Sequence, residues 1–259
     1  MKITANLFIT LFICMTSSCS LNIKEKNLAS KVHQEGKHLF IFSGQSNMKR
    51  LNIDASFMPV IDSEFAKGNS LFVKDAAGGR SIKRWYKNWE APTGDKQNTT
   101  ADLYDSLMSK VNPVINNEKI KSVTFIWMQG ERDANSGYGE VYEKSLIGLY
   151  EQLSNDLKRT DINFVIGRLS DFDMSNERYL HWTMIRDIQV KVAESNSRFD
   201  WIDTDDLNDG INDKGQQIKN DLHMSELGYE TMGKRFAHKS IVLINKAKVT
   251  INNHATHNN

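Results

Sequence analysis

The body of this chain has no cysteine. Both cysteines of the 259 residues, Cys14 and Cys19, fall within the first twenty positions. The remainder therefore has no disulfide, no thiol nucleophile and no cysteine-based metal site. An excess of one charge is missing as well. Lys and Arg number 33 against 32 Asp and Glu, which argues against a nucleic-acid partner and against a purely electrostatic attraction to anionic membranes. The seven His include no H-E-x-x-H and, outside the Asn/His-rich tail, no closely spaced ligand pair, so no metal and no other cofactor is expected. The acidic run Asp203 to Gly210 fails the EF-hand pattern, because Leu207 occupies a ligand position and no Glu closes the loop. It reads as a turn. No internal repeat is present, and the most apolar stretch, Leu7 to Met15, is too short to span a bilayer.

That short stretch, preceded by Lys2, suits the core of an export signal. Thr16-Ser17-Ser18-Cys19 follows it and resembles a bacterial lipoprotein signal, in which Cys19 becomes the lipidated mature N-terminus. Thr16 departs from the aliphatic residue usual there, and cleavage by an ordinary signal peptidase near Ser18 or Ser20 is the other route. The expected organisation is a signal peptide at 1–19, a polar, lysine-rich tether at 20–36, one domain at 37–248 and a disordered tail at 249–259. The expected location is the periplasm or the outer cell surface, with membrane attachment through Cys19.

Within the domain, short apolar runs alternate with amphipathic ones. Strands are expected at 38–43, 70–73, 122–128, 163–167 and 199–203, several of them apolar at consecutive positions, as in strands buried on both faces. Helices are expected near 103–115, 177–194 and 225–244, and the clearest carries Tyr142, Leu146, Leu149, Leu153 and Leu157 on one face. This alternation predicts an α/β fold, a three-layer α/β/α sandwich around a central, mostly parallel five-stranded sheet. The stretches 49–69 and 83–100 read as irregular segments over the carboxyl edge of the sheet, where substrate sites are shaped.

Four segments carry chemistry. Gly44-Gln45-Ser46-Asn47-Met48 follows the first strand and delivers a hydroxyl to the edge where open α/β sheets keep their active sites. Gln45 and Asn47 add polar groups that a plain turn does not require. Gly78-Gly79 follows the second strand, and adjacent glycines let backbone approach a ligand with an N–H free. Trp127-Met128-Gln129-Gly130-Glu131-Arg132-Asp133 leaves the third strand with an amide able to meet an oxyanion and carboxylates able to hold neighbouring loops. Asp221-Leu222-His223 precedes the last helix, and a carboxylate two residues before a histidine can orient an imidazole that acts as base toward a serine.

Together these four segments resemble the SGNH superfamily of serine hydrolases. They are most similar to its sialate O-acetylesterase and acetylxylan esterase branch, in family order from about Lys37 to Lys246. Arg186, Gln189 and Gly228 agree as well. The resemblance implies Ser46 as nucleophile, His223 as general base and Asp221 as orienting carboxylate. It implies an oxyanion hole from the backbone N–H of Ser46, the backbone N–H of Gly79 and the Gln129 side chain. The wider superfamily places its carboxylate three residues before the histidine, where this chain has Asn220, so a Ser–His dyad is the alternative. Met224 stands where the branch often has Pro.

Gln45, Asn47, Arg80, Glu131 and Trp85 are the expected substrate-binding residues. Trp85, with Tyr86 and Trp89, reads as a stacking wall for a sugar or as plain core packing, and Arg80 or Arg84 could meet an acidic sugar. The expected partner is an acetylated carbohydrate, sialate before acetylxylan. The reading from another class is a non-catalytic, glycan-binding surface lipoprotein.

Overall fold

The structure is a computed structural model and describes residues 35–94 and 99–256, with side chains as far as residue 247. Cys14, Cys19 and the segments expected as signal peptide and tether, up to residue 34, lie outside the described residues.

Gly36 to Asn259 form one compact unit. Its sheet has the order β2-β1-β3-β4-β5, from β1 (Lys37–Gly44), β2 (Ser70–Ala76), β3 (Ile120–Met128), β4 (Asn163–Gly167) and β5 (Phe199–Ile202). Every pairing in it is parallel. The period-two geometry of a strand divides each apolar run between two faces. Leu39, Ile41, Phe125, Trp127, Phe164 and Ile166 enter one core, which is closed by α4 (Asp102–Ile115), α6 (Gly139–Leu157) and α7 (Trp182–Glu194). Phe40, Phe42, Ile126, Met128 and Val165 enter the other, closed by α2 (Ile53–Ser56), α3 (Met58–Phe65) and α8 (Glu226–Thr256). The expected three-layer sandwich is thus present.

Differences from the expected elements have local causes. β2 runs three residues past its apolar stretch because β1 pairs with it up to Gly44 opposite Ala76. The segment 49–69 is not an irregular cover over the sheet edge. Asn52 caps α2 by accepting the N–H groups of Asp54 and Ala55, Pro59 opens α3, and Phe57 and Ile61 are fully buried beside Phe40 and Phe42. α7 begins at Trp182 rather than 177, because the Asp173 carboxylate accepts the N–H groups of Glu177, Arg178 and Tyr179 and holds that stretch as a loop. α8 continues to Thr256, through most of the segment expected as a disordered tail. Extending a helix already docked over its first turns carries no nucleation cost. A short antiparallel hairpin of β6 (Gly210–Ile211) and β7 (Gln217–Ile218) was not foreseen.

The acidic run is a turn whose carboxylates face arginines. Asp203 pairs with Arg168, Asp205 with Arg168 and Arg186, and Asp206 with Arg235.

Candidate active site

β1 stops where only glycine fits. Gly44 has φ +141°, and a Cβ there would lie 2.0 Å from the Met128 carbonyl oxygen. The next residue, Gln45, donates its N–H to that same oxygen at 2.9 Å. The chain then turns into α1 (Ser46–Arg50) with Ser46 as its first residue. Lys74 secures the far end of α1 by donating to the carbonyls of Lys49 and Leu51. The Ser46 segment is therefore fixed to the end of β3 on one side and to β2 on the other.

His223 arrives from the loop before α8. That loop is held by Asp221 N–H on the Asn208 carbonyl (3.2 Å) and Ser225 N–H on the Leu207 carbonyl (2.9 Å). The imidazole Nε2 lies 3.1 Å from Ser46 Oγ across 177 positions of sequence. Burial, followed by the charge of Arg50, holds the His223 pKa below its usual 6.5, against the opposing pull of Asp221 and Asp213. A neutral imidazole at neutral pH is the form a general base requires.

Asp221 is close to the imidazole without bonding it. Its Oδ1 accepts the His223 backbone N–H at 2.9 Å and stands 3.8 Å from Nδ1, and its side chain is 44% exposed. At that separation it acts through charge. Asn220 is turned away from the histidine. Its φ is +45°, its amide donates to the Phe172 carbonyl, and its oxygen accepts from Asn208.

Among the described residues, neither the Ser46 nor the Gly79 N–H has a protein acceptor. Gly79 has φ +66°, and a Cβ on Gly78 would come within 3.7 Å of Ser46 Cβ. Asp133 fixes this loop from below, accepting the Ser81 hydroxyl (2.7 Å) and the Ile82 N–H (2.9 Å), while Arg132 Nε holds the Gly79 carbonyl at 3.0 Å.

Several expected site residues take other places. Gln129 is fully buried, with its amide nitrogen engaged by Asp133, the Arg80 carbonyl (3.1 Å) and Gln45 Oε1 (3.3 Å) and its oxygen accepting from Tyr142 (3.2 Å). It braces the floor of the site and presents no donor to the cleft. Asn47 is 1% exposed and bonded on both amide atoms to protein, so it does not face a substrate. Trp85 is 1% exposed and packs edge-on against Trp127 with ring centroids 5.3 Å apart. Trp89 is equally enclosed, and Tyr86 fills the space over Gly148. The stacking wall is core packing. Arg84 forks onto Asp102, whereas Arg80 is exposed.

A cleft of about 310 Å³ opens on Ser46 and His223, and of the expected residues Gln45, Gly79 and Glu131 also line it. Arg132, Asn135 and Tyr179 line it too and were not foreseen as site residues. Arg132 lies inside a quoted motif and could have been found there. Asn135 and Tyr179 carry no motif and reach the cleft through loop geometry. Burial pushes the Glu131 carboxyl up to about 7 and the Asp133 carboxyl up to about 6.

Residues 53–242 match the family described as carbohydrate esterase, sialic acid-specific acetylesterase. The chain belongs to that family. It is thereby a carboxylic ester hydrolase. The matched span holds Gly79, Gln129, Glu131, Asp221 and His223 and begins after Ser46. Among solved structures, a protein from Arabidopsis thaliana superposes with TM-score 0.60 at 16% identity, over 80% of this chain and 99% of that one. NanS superposes with TM-score 0.56 at 12% identity, over 81% of this chain and 98% of its own. A carbohydrate acetylesterase from Xanthomonas citri superposes with TM-score 0.54 at 15% identity, over 78% of this chain and 55% of that one. At these identities the likeness concerns the fold. A comparison with curated proteins gives no match.

Proposed function

We propose that the esterase removes O-acetyl groups from carbohydrate, with sialate as the first candidate substrate and acetylxylan as the second. The observation that carries this is His223 Nε2 at 3.1 Å from Ser46 Oγ, in an open cleft where two backbone N–H groups have no protein acceptor among the described residues. The family description supports the choice of an acetylated sugar.

The chemistry follows from that arrangement. His223 takes the Ser46 proton as Oγ attacks the acetyl carbonyl, and the resulting oxyanion meets the N–H groups of Ser46 and Gly79. As the tetrahedral intermediate collapses, the imidazolium protonates the departing sugar oxygen, which leaves as the free hydroxyl. Water, deprotonated by the same imidazole, releases acetate from Ser46. Asp221 favours the imidazolium by charge in both halves. Gln45 and Arg132, which line the cleft, are the polar groups we assign to selecting the sugar, and Arg80 does not line it.

The test is hydrolysis of p-nitrophenyl acetate, acetylated sialic acid and acetylated xylan by the wild type and by Ser46→Ala. Acetate release that Ser46→Ala lowers by at least about a thousandfold is expected. Undiminished release by that variant overturns the assignment, and the ratio of kcat/KM on the two sugars names the substrate.

A further inference from the structure

Behind the cleft, one side chain ties together four separate parts of the chain. Asn47 donates from Nδ2 to Glu131 Oε1 at 2.9 Å and to the Leu222 carbonyl at 3.2 Å, and its Oδ1 accepts the Tyr229 hydroxyl at 2.8 Å. An asparagine amide has two N–H donors and one carbonyl oxygen. The Leu222 carbonyl only accepts, so the network fixes which way the Asn47 amide points. Asn47 follows the nucleophile, Leu222 precedes the base, Glu131 opens α5 (Glu131–Asn135), and Tyr229 belongs to α8. Glu131 is anchored firmly, because Gly130 before it has φ +150° and a Cβ there would lie 2.8 Å from Ile185. Its other oxygen, Oε2, is buried and has no hydrogen-bond partner among the described residues.

We propose that Glu131 is a positioning residue which, acting through Asn47, holds the Leu222–His223 segment against the Ser46 segment and so sets the distance between base and nucleophile. This rests on the esterase reading above. Oε1 restrains one N–H of Asn47, which leaves the other directed at Leu222. Without that acceptor the Asn47 amide loses one of its three fixed bonds, and the histidine loop loses the rigidity of its side-chain tie to the Ser46 segment.

The buried Oε2, without a partner among the described residues, favours the neutral acid as the working form of Glu131. A buried oxygen that no donor reaches is a poor place for a full negative charge. The backbone N–H groups of Glu131 and Gly130 and the Asn47 amide favour the carboxylate, and burial outweighs them. Asp133 on the same helix adds a like charge, and Tyr142 on α6, Tyr179 before α7 and Tyr229 on α8 are the other titratable groups coupled to this carboxyl. Burial accordingly raises the Glu131 pKa to about 7. Glutamine has the shape of the neutral acid and keeps the oxygen that Asn47 uses.

The experiment compares Glu131→Ala, Glu131→Gln and Tyr229→Phe with the wild type on p-nitrophenyl acetate near pH 6.5. Active sites are counted with a fluorophosphonate, and folding is followed by circular dichroism. Misplacing a catalytic group by about 1 Å costs up to roughly a hundredfold. Glu131→Ala should therefore lose about 10- to 100-fold in kcat with KM held within about threefold. Glu131→Gln should recover to within about threefold of wild type, and Tyr229→Phe should lose kcat by a few fold, again without a change in KM.

An unchanged kcat in Glu131→Ala, a Gln variant as poor as the Ala variant, or a loss carried by KM overturns the proposal. If Glu131→Ala does not fold, Tyr229→Phe decides, and an unaltered kcat there overturns it. A wild type that neither hydrolyses the ester nor reacts with the fluorophosphonate removes the esterase reading and this inference with it. An active wild type with an indifferent Glu131→Ala removes this inference alone.

Discussion

Asp221, the carboxylate assigned to His223 in the proposed mechanism, meets that residue in two ways. Its Oδ1 closes a local turn by accepting the His223 N–H at 2.9 Å, and the same oxygen is 3.8 Å from Nδ1. Asparagine retains the first interaction and removes the charge. Asp221→Asn is therefore expected to lower kcat only about tenfold, against the roughly 10⁴-fold of a carboxylate bonded tightly to its imidazole. The pH profile gives a second reading. His223 must be neutral to act as base, so activity falls as pH drops through its pKa, which burial already holds below 6.5. Asp221 is among the groups that raise that pKa, so its neutralisation moves the acid limb to still lower pH. A kcat/KM profile for wild type and Asp221→Asn checks both. A limb that stays in place shows that the carboxylate does not act on the imidazole.

The elements that deliver the site are short, and their ends are set by steric limits rather than by propensity. β1 and β3 finish together, with Gly44 opposite Met128. The close approach of Gly44 to the Met128 carbonyl lets the chain leave the sheet at once and start α1 on Ser46. Gly44→Ala places a methyl against backbone at a φ of +141°. Neither side can move without parting the two strands. The expected cost is on the order of 3 kcal/mol, seen as a fall in Tm of roughly 6–12 °C, together with most of the activity. Thermal unfolding and a p-nitrophenyl acetate assay measure both. Wild-type values in each would show that β1 tolerates a side chain at its end. The loop after β2 depends in the same way on Asp133, which reaches it from α5 and keeps Gly78 beside Ser46.

At the scale of the whole molecule, two buried carboxyls influence stability in the acid range. The Glu131 and Asp133 pKa values are raised by burial to about 7 and about 6, from 4.5 and 3.8. Between the lower and upper values the folded protein holds more protons than the unfolded chain, so these groups make stability fall as pH rises from about 4 to 7. Asp205 and Asp206 oppose this at lower pH, since their pKa values are lowered and their contribution disappears as pH falls below 3.8, and His223, held below 6.5 by burial, opposes it just under 6.5 as one imidazole against two carboxyls. The Tm is therefore expected to decline from about pH 5 to pH 7, and Glu131→Gln should flatten that slope. A Tm that rises over this interval, or a slope the variant leaves unchanged, contradicts the assignment.

The sequence by itself determined the layers and the chemistry at the edge. Apolar runs at 38–43, 122–128 and 163–167 specify strands buried on both faces, because no other arrangement hides consecutive large side chains in so short a span. Ser46, Gly79 and His223 were legible because each closes or follows such a run within a compact motif, and the structure brings them to one cleft. Tertiary structure alone decided which polar groups face that cleft. Gln129, Asn47 and Trp85 have the chemistry of a site, yet each is claimed by partners far off in sequence: Gln129 by the Arg80 carbonyl, Asn47 by Leu222 and Tyr229, and Trp85 by Trp127. Arg132, Asn135 and Tyr179 reach the cleft instead. The reason is physical. Residue type fixes what a side chain can bond or bury, while its direction follows from packing between elements that are distant in sequence.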